Sequence, residues 1–208
     1  MARTNQRHRT RKDLLLAATR LLKEGRAPNM GEIADEAMVS RATAYRYFPT
    51  LEALLCEAPL DEGMPDPKEF FAGDTSTDAA ARAQKVEGLL HEFTYGNETQ
   101  FRASLAYSLR QGAEDRETPV RQNRRTPLLE EALAPVKGEL SRKAYERLRS
   151  ALAVFIGIEA MVVCNDVLRL SKDEAYEVKQ WAVQALVERA LEEARAAPKA
   201  KKKTKKAK

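Results

Sequence analysis

The chain has 208 residues, 43% of them hydrophobic and 32% charged, which is about one to one and a half typical domains with enough apolar side chains for a real core. Its longest uncharged apolar run, residues 150–158, falls far short of the roughly 20 residues a membrane span requires. The N-terminus leads into charge and not into an apolar signal segment, so the expected location is cytoplasmic. Two cysteines, Cys56 and Cys164, and two histidines, His8 and His91, exclude a disulfide framework, a zinc cluster and Cys-His or Ser-His nucleophilic chemistry. No metal, cofactor or catalytic constellation is expected, and paired acids such as Glu130-Glu131 and Glu192-Glu193 read as solvated helix faces.

The net charge of +5 is unevenly divided. Residues 1–12 carry five positive charges and no acid, residues 199–208 carry seven lysines and no acid, and the body between them is left at −7. Basic termini on an acidic body are the footprint of segments that meet a polyanion such as nucleic acid. Terminal lysines that merely aid solubility are the plainer reading of the C-terminal tail.

Several stretches show the i, i+3, i+4, i+7 recurrence of one helical face and none alternates with period two, so the expected class is all-α. The first helix carries Leu14, Leu15, Ala18, Leu21 and Leu22, with Thr10 as N-cap, and stops at Gly25 and Pro28. Asn29 and Glu32 form a capping box for a second helix that buries Ile33, Ala34 and Ala37. Ser40 caps a short third helix through Tyr47, and Pro49-Thr50 opens a fourth with Leu51, Leu54 and Leu55. Residues 59–77, rich in Pro, Gly and Asp, read as a linker. Longer helices are expected at about 78–93, 98–111 and 126–133, the last with Pro127 in its first turn, then at 141–170 and, behind the box Ser171 to Glu174, at 171–197. The resulting division is a basic arm at 1–12, a compact four-helix module at 13–58, the linker, a helical domain at 78–197 and a lysine-rich tail at 198–208 without the apolar content to fold.

Residues 32–47 describe a helix, a three-residue turn and a second short helix, the pattern of a helix-turn-helix whose second helix enters the major groove. Val39, Ala44 and Phe48 should face inward onto Ile33 and Leu22. Arg41, Ala42, Tyr45 and Arg46 should point out, a set suited to guanine and phosphate contacts. An ordinary helical hairpin with charged solvent faces has the same periodicity.

The run Arg11-Lys12-Asp13-Leu14-Leu15-Leu16-Ala17-Ala18, then Leu21-Leu22, Gly25, Glu32-Ile33-Ala34, Ala37-Met38-Val39-Ser40, Ala44-Tyr45-Arg46-Tyr47-Phe48 and Glu52-Ala53-Leu54, closely resembles the N-terminal domain of TetR/AcrR-type transcriptional regulators. The resemblance covers the first quarter of the chain. It implies a homodimer whose recognition helices bind an inverted-repeat operator, usually as a repressor released by a small effector. The apolar residues that wrap the helix from Leu148 to Val163, and the broad apolar face of Val178, Trp181, Ala182, Ala185 and Leu186, put the dimer contact on the last two helices. A nonspecific or architectural DNA-binding protein using the basic arm and tail is the alternative.

By the same resemblance Arg41 and Ala42 stand where bases are touched, Ser40 at the helix start, and Tyr45, Arg46 and Tyr47 where phosphates are reached; Thr43 suits either. Met38 replaces a usual turn glycine, Met30 a threonine and Leu51 a lysine. The family places its ligand inside the C-terminal domain, where this chain offers His91, Phe93, Tyr95, Phe101, Arg102, Tyr107, Phe155, Met161 and Asn165. Arg121, Arg124 and Arg125 suit either an anionic effector or salt bridges to the acidic body. Cys164 reads as core.

Overall fold

Helical periodicity becomes helix throughout the computed structural model, which describes residues 2–114 and 123–196. The elements are α1 (Ala2–Lys23), α2 (Met30–Glu36), α3 (Arg41–Tyr47), α4 (Leu51–Glu62), α5 (Pro67–Phe70), α6 (Ala79–Gly96), α7 (Glu98–Glu114), α8 (Arg125–Ala132), α9 (Arg142–Val154), α10 (Ile158–Val162) and α11 (Lys172–Ala196), with no strand among the described residues. Arg121, Pro198 and the lysine tail lie outside these residues.

Two cores result. In the first, α1 to α4 enclose Leu14, Leu15, Leu21, Ile33, Ala44, Phe48 and Leu54, each large side chain contributing about 1.5–3 kcal/mol by leaving water. Leu21 fills the inward position expected of Leu22, which sits on the exposed side of α1. In the second, α6, α8, α9 and α11 enclose Val86, Leu90, Leu128, Leu129, Leu148, Leu152, Val183 and Val187. A smaller cluster of Leu60, Phe101, Ile158 and Met161 joins α4 to α7 and α10.

Local signals set several boundaries. The Asn29 side chain accepts from the amides of Gly31 and Glu32 while the Glu32 carboxylate accepts from the Asn29 amide at 2.8 Å, and Ser171 and Glu174 repeat the exchange ahead of α11. Three expectations are corrected. Thr10 is not an N-cap: α1 begins at Ala2, so the basic arm is its first turns, and the Thr10 hydroxyl donates back to the Gln6 carbonyl at 3.1 Å. The stretch read as a linker is largely packed, since α4 runs through Pro59 to Glu62, Leu60 is buried, and Phe71 is buried beneath the Arg82 guanidinium at 4.0 Å.

The helix expected over 141–170 is broken. Residues 142–154 and 158–167 meet at 46°, with Gly157 at φ +103 between them. Arg125 explains the break: its Nη1 donates to the carbonyls of Ala153 (2.7 Å) and Ile156 (2.6 Å), taking acceptors that a continuous helix would use itself, and its Nη2 donates to Glu159. A Cβ at Gly157 would lie 3.3 Å from that guanidinium carbon. The second half ends in a π turn, Val163–Val167. No single helix among the described residues is long and apolar enough to cross a membrane.

Candidate nucleic-acid interface

The turn between α2 and α3 is built on Met38, whose φ of 55 is the left-handed conformation a glycine would adopt without strain, and whose side chain is 92% exposed. Strain of order 1 kcal/mol is stored there. The turn is closed by the Val39 amide donating to the Ala34 carbonyl at 2.9 Å. Ser40 then caps α3: its Oγ accepts from the Thr43 amide at 3.1 Å and shares a hydrogen bond of 2.9 Å with the Thr43 hydroxyl.

On α3 the inward and outward faces fall as the periodicity predicts. Ala44 and Phe48 are buried, Val39 is half-buried, and Arg41, Ala42, Tyr45 and Arg46 are exposed. Arg41 lies over the Tyr45 ring with 5.7 Å to its centre. Neither Arg41 nor Arg46 forms an ion pair among the described residues, so the face presents two guanidinium groups beside an aromatic ring with no acid to neutralise them. Tyr47, grouped with the phosphate-reaching residues, has its ring in the first core. Met30 is also buried in this core and Leu51 packs against it. Both positions, where the resemblance has polar or basic residues, serve packing here.

Behind α3 lies a feature the sequence reading missed. Arg11, counted as part of the arm's charge, is fully buried. Its guanidinium lies 4.1 Å from the centre of the Phe48 ring, at the end of the recognition helix, and Nη2 donates to Glu57 Oε2 on α4 at 2.7 Å. The other oxygen of Glu57 accepts from Arg124 at 2.9 Å, and Arg124 Nε donates to Asp61 at 3.2 Å. Burial pulls the Arg11 pKa below the ordinary arginine value, and the Glu57 carboxylate acts against it. One buried carboxylate thus joins the module of α1 to α4 to the segment leading into α8. The signal was present in the spacing, for Arg11 precedes Leu14, Leu15 and Ala18 on one helical stripe.

The residues expected at the effector are dispersed. His91 is buried, stacked on Tyr95 with ring centres 4.4 Å apart and edge-on to Tyr176. Its Nδ1 lies 3.8 Å from Glu87, which pairs with the buried Lys179 at 2.7 Å. Burial holds the His91 pKa down to about 4 and pushes Glu87 up, with Lys179 lowering the former and opposing the rise of the latter. Asn165 accepts from the Tyr95 hydroxyl at 2.7 Å, and burial pushes that phenol up to about 12.

Phe93 and Phe101 meet edge to face, 5.6 Å between centres. Arg102 is committed to Glu98 and, through two bonds of 2.7 Å, to Asp166, which together raise its pKa. Phe155 stands partly exposed at the corner between α9 and α10, Met161 is in the small core, and Tyr107 faces a cleft between α4 and α7. Cys164 is buried, as expected. Arg124 and Arg125 are engaged in the salt bridges described above.

Residues 14–58 match the family model described as bacterial regulatory proteins, tetR family. Comparison with curated proteins and with solved structures returned no match.

Proposed function

We propose that the chain, whose residues 14–58 match the tetR family of bacterial regulatory proteins and support a DNA-binding transcriptional regulator, acts as a homodimeric repressor of an inverted-repeat operator, released by a small effector. The observation that carries the reading is the exposed face of α3, with Arg41, Ala42, Tyr45 and Arg46 outward and no acid paired to either arginine among the described residues. Arg41 is the long side chain in the first turn of α3, the part of a recognition helix nearest base edges. It reads a guanine, and Tyr45 and Arg46 reach the phosphates that fix register.

Dimerisation through α9 to α11 is supported by their uncovered apolar surface. Val154 is 67% and Trp181 72% exposed, and Phe155, Val163, Val167, Leu168 and Val178 are also open. Pairing these helices across a two-fold axis buries that surface and sets the two α3 helices for successive major grooves, about 34 Å apart.

Binding-site selection on random duplex DNA tests the reading. The unmodified protein should return an inverted repeat, and Arg41→Ala should weaken that site by about 1–3 kcal/mol and relax one base pair in each half-site. An unchanged consensus for Arg41→Ala refutes the base contact. Salt-dependent binding with no consensus at all marks a nonspecific binder instead, because phosphate contacts give affinity without discrimination.

A further inference from the structure

Among the described residues, three clefts are each lined by at most one of the side chains assigned to an effector by family resemblance, Tyr107 in one and Phe101 in another. The cavity nearest them, bounded by Leu90, Thr94, Phe101, Arg124 and Ile158, holds about 40 Å³, the room of little more than one water molecule. The groove between α1 and residues 61–67 is larger, about 500 Å³, but opposed charges that already satisfy one another cross it, Lys23 against Glu62 among them. The cleft between α4 and α7 is different. It has about 320 Å³, within the range of small-molecule sites. Its walls are the methyl groups of Ala53 and Ala106, the Cys56 thiol and Tyr107, and Arg110 stands at its edge with no ion pair among the described residues.

We propose that this cleft is the effector site and that it takes a small, flat, apolar acid. The acidic group pairs with Arg110 and the apolar body lies on Ala53, Cys56 and Ala106. One acidic group is preferred over two because Glu52, in the first turn of α4, also lines the cleft. The inference rests on the reading of the chain as an effector-responsive regulator and deepens it. Its route to DNA is short: Glu57 is part of the same wall, and it holds Arg11, whose guanidinium stacks on Phe48 at the end of the recognition helix. An occupant that displaces α4 moves Glu57, and with it the Arg11 guanidinium that lies on Phe48.

The test uses the full chain with 2-naphthoate as the probe. Cys56 is the reporter, being half-buried in the cleft while Cys164 is buried elsewhere. Millimolar naphthoate should slow alkylation of Cys56 by N-ethylmaleimide about tenfold and weaken binding to a duplex recovered by selection by about tenfold, 1.4 kcal/mol. Ala106 is on the exposed side of α7, so Ala106→Trp fills the cleft without entering a core. It should abolish the response of both readouts to naphthoate, each measured against the variant's own ligand-free value, and Arg110→Gln should raise the naphthoate required about tenfold. The site is overturned by protection that survives Ala106→Trp, by no protection at millimolar naphthoate, or by protection with unchanged duplex affinity. If the unmodified chain selects no duplex, the regulatory reading fails, and Cys56 protection still scores the cleft alone.

Discussion

The buried pair of Arg11 and Glu57 makes a sharp energetic prediction. Their side chains are 0% and 3% exposed and 2.7 Å apart, so replacing Glu57 by alanine removes a carboxylate that pairs with a buried guanidinium in the core of the DNA-binding module. Breaking a buried pair by removing one partner costs about 3–5 kcal/mol, a large fraction of the roughly 5–15 kcal/mol that holds a domain folded. The exposed pair Arg20–Glu36, at nearly the same distance of 2.9 Å, is the internal control, since solvent-exposed pairs contribute about 0–1 kcal/mol. Replacing both buried partners by methionine removes both charges together. Arg124 then keeps Asp61, and the double variant should lie within about 1–2 kcal/mol of the unmodified protein. Urea unfolding followed by far-ultraviolet circular dichroism measures the stability of the unmodified protein and of each single and double variant. If Glu57→Ala costs no more than Arg20→Ala, or if the losses of Arg11→Met and Glu57→Met simply add in the double variant, the pair is not the buried, coupled unit described here.

Other expectations concern the turn, the apolar face and the buried histidine. Met38→Gly should stabilise the fold by about 0.5–1 kcal/mol, the left-handed strain relieved less the added entropy of glycine in the unfolded chain; a lower melting temperature for this variant would contradict the strain. Trp181→Glu places a charge on the open apolar face and should give a single-chain mass in sedimentation at micromolar concentration, where the unmodified protein should sediment as a dimer. A dimer persisting in the variant would remove this face from the interface. His91 is neutral in the fold with a pKa near 4 against an ordinary value of 6.5, so the unfolded chain takes up its proton first as pH falls. Stability is complete well above pH 6.5 and declines by about 1.4 kcal/mol at pH 5.5 and about 3 at pH 4 from this group. His91→Phe should flatten that part of the urea-unfolding profile, and an unchanged acid slope would show that Glu87, Glu92, Asp173 or other groups carry it.

What was legible in the sequence is local in origin. The boxes at Asn29/Glu32 and Ser171/Glu174 and the Ser40 cap need residues only three apart, and the outward face of α3 needs only the helical repeat. Tertiary partners escaped the same reasoning. Arg11 looks like surface charge until Glu57, 46 positions on, supplies the carboxylate that permits its burial. Residues 150–158 look like continuous helix until Arg125 withdraws two carbonyls from it. The aromatic residues from Phe93 to Phe155 show the related limit for the effector. Periodicity reports which side chains leave water, but a binding site is the place where packing stops short, and that depends on how whole helices meet.

The same geometry bounds how strongly any effector can act. A ligand shifts DNA affinity only by its differential affinity for the two arrangements of the recognition helices. Weakening operator binding tenfold per chain therefore requires about 1.4 kcal/mol of difference, which is the worth of one hydrogen bond to a charged group made in one state and lost in the other. Glu57 has such bonds to give, one to Arg11 and one to Arg124. If both chains of a dimer respond, the two contributions combine on one operator to about a hundredfold, about 2.8 kcal/mol. A regulator built this way needs no large rearrangement of its cores. It needs a carboxylate whose two arginines lie on either side of the junction, and a cleft that opens beside it.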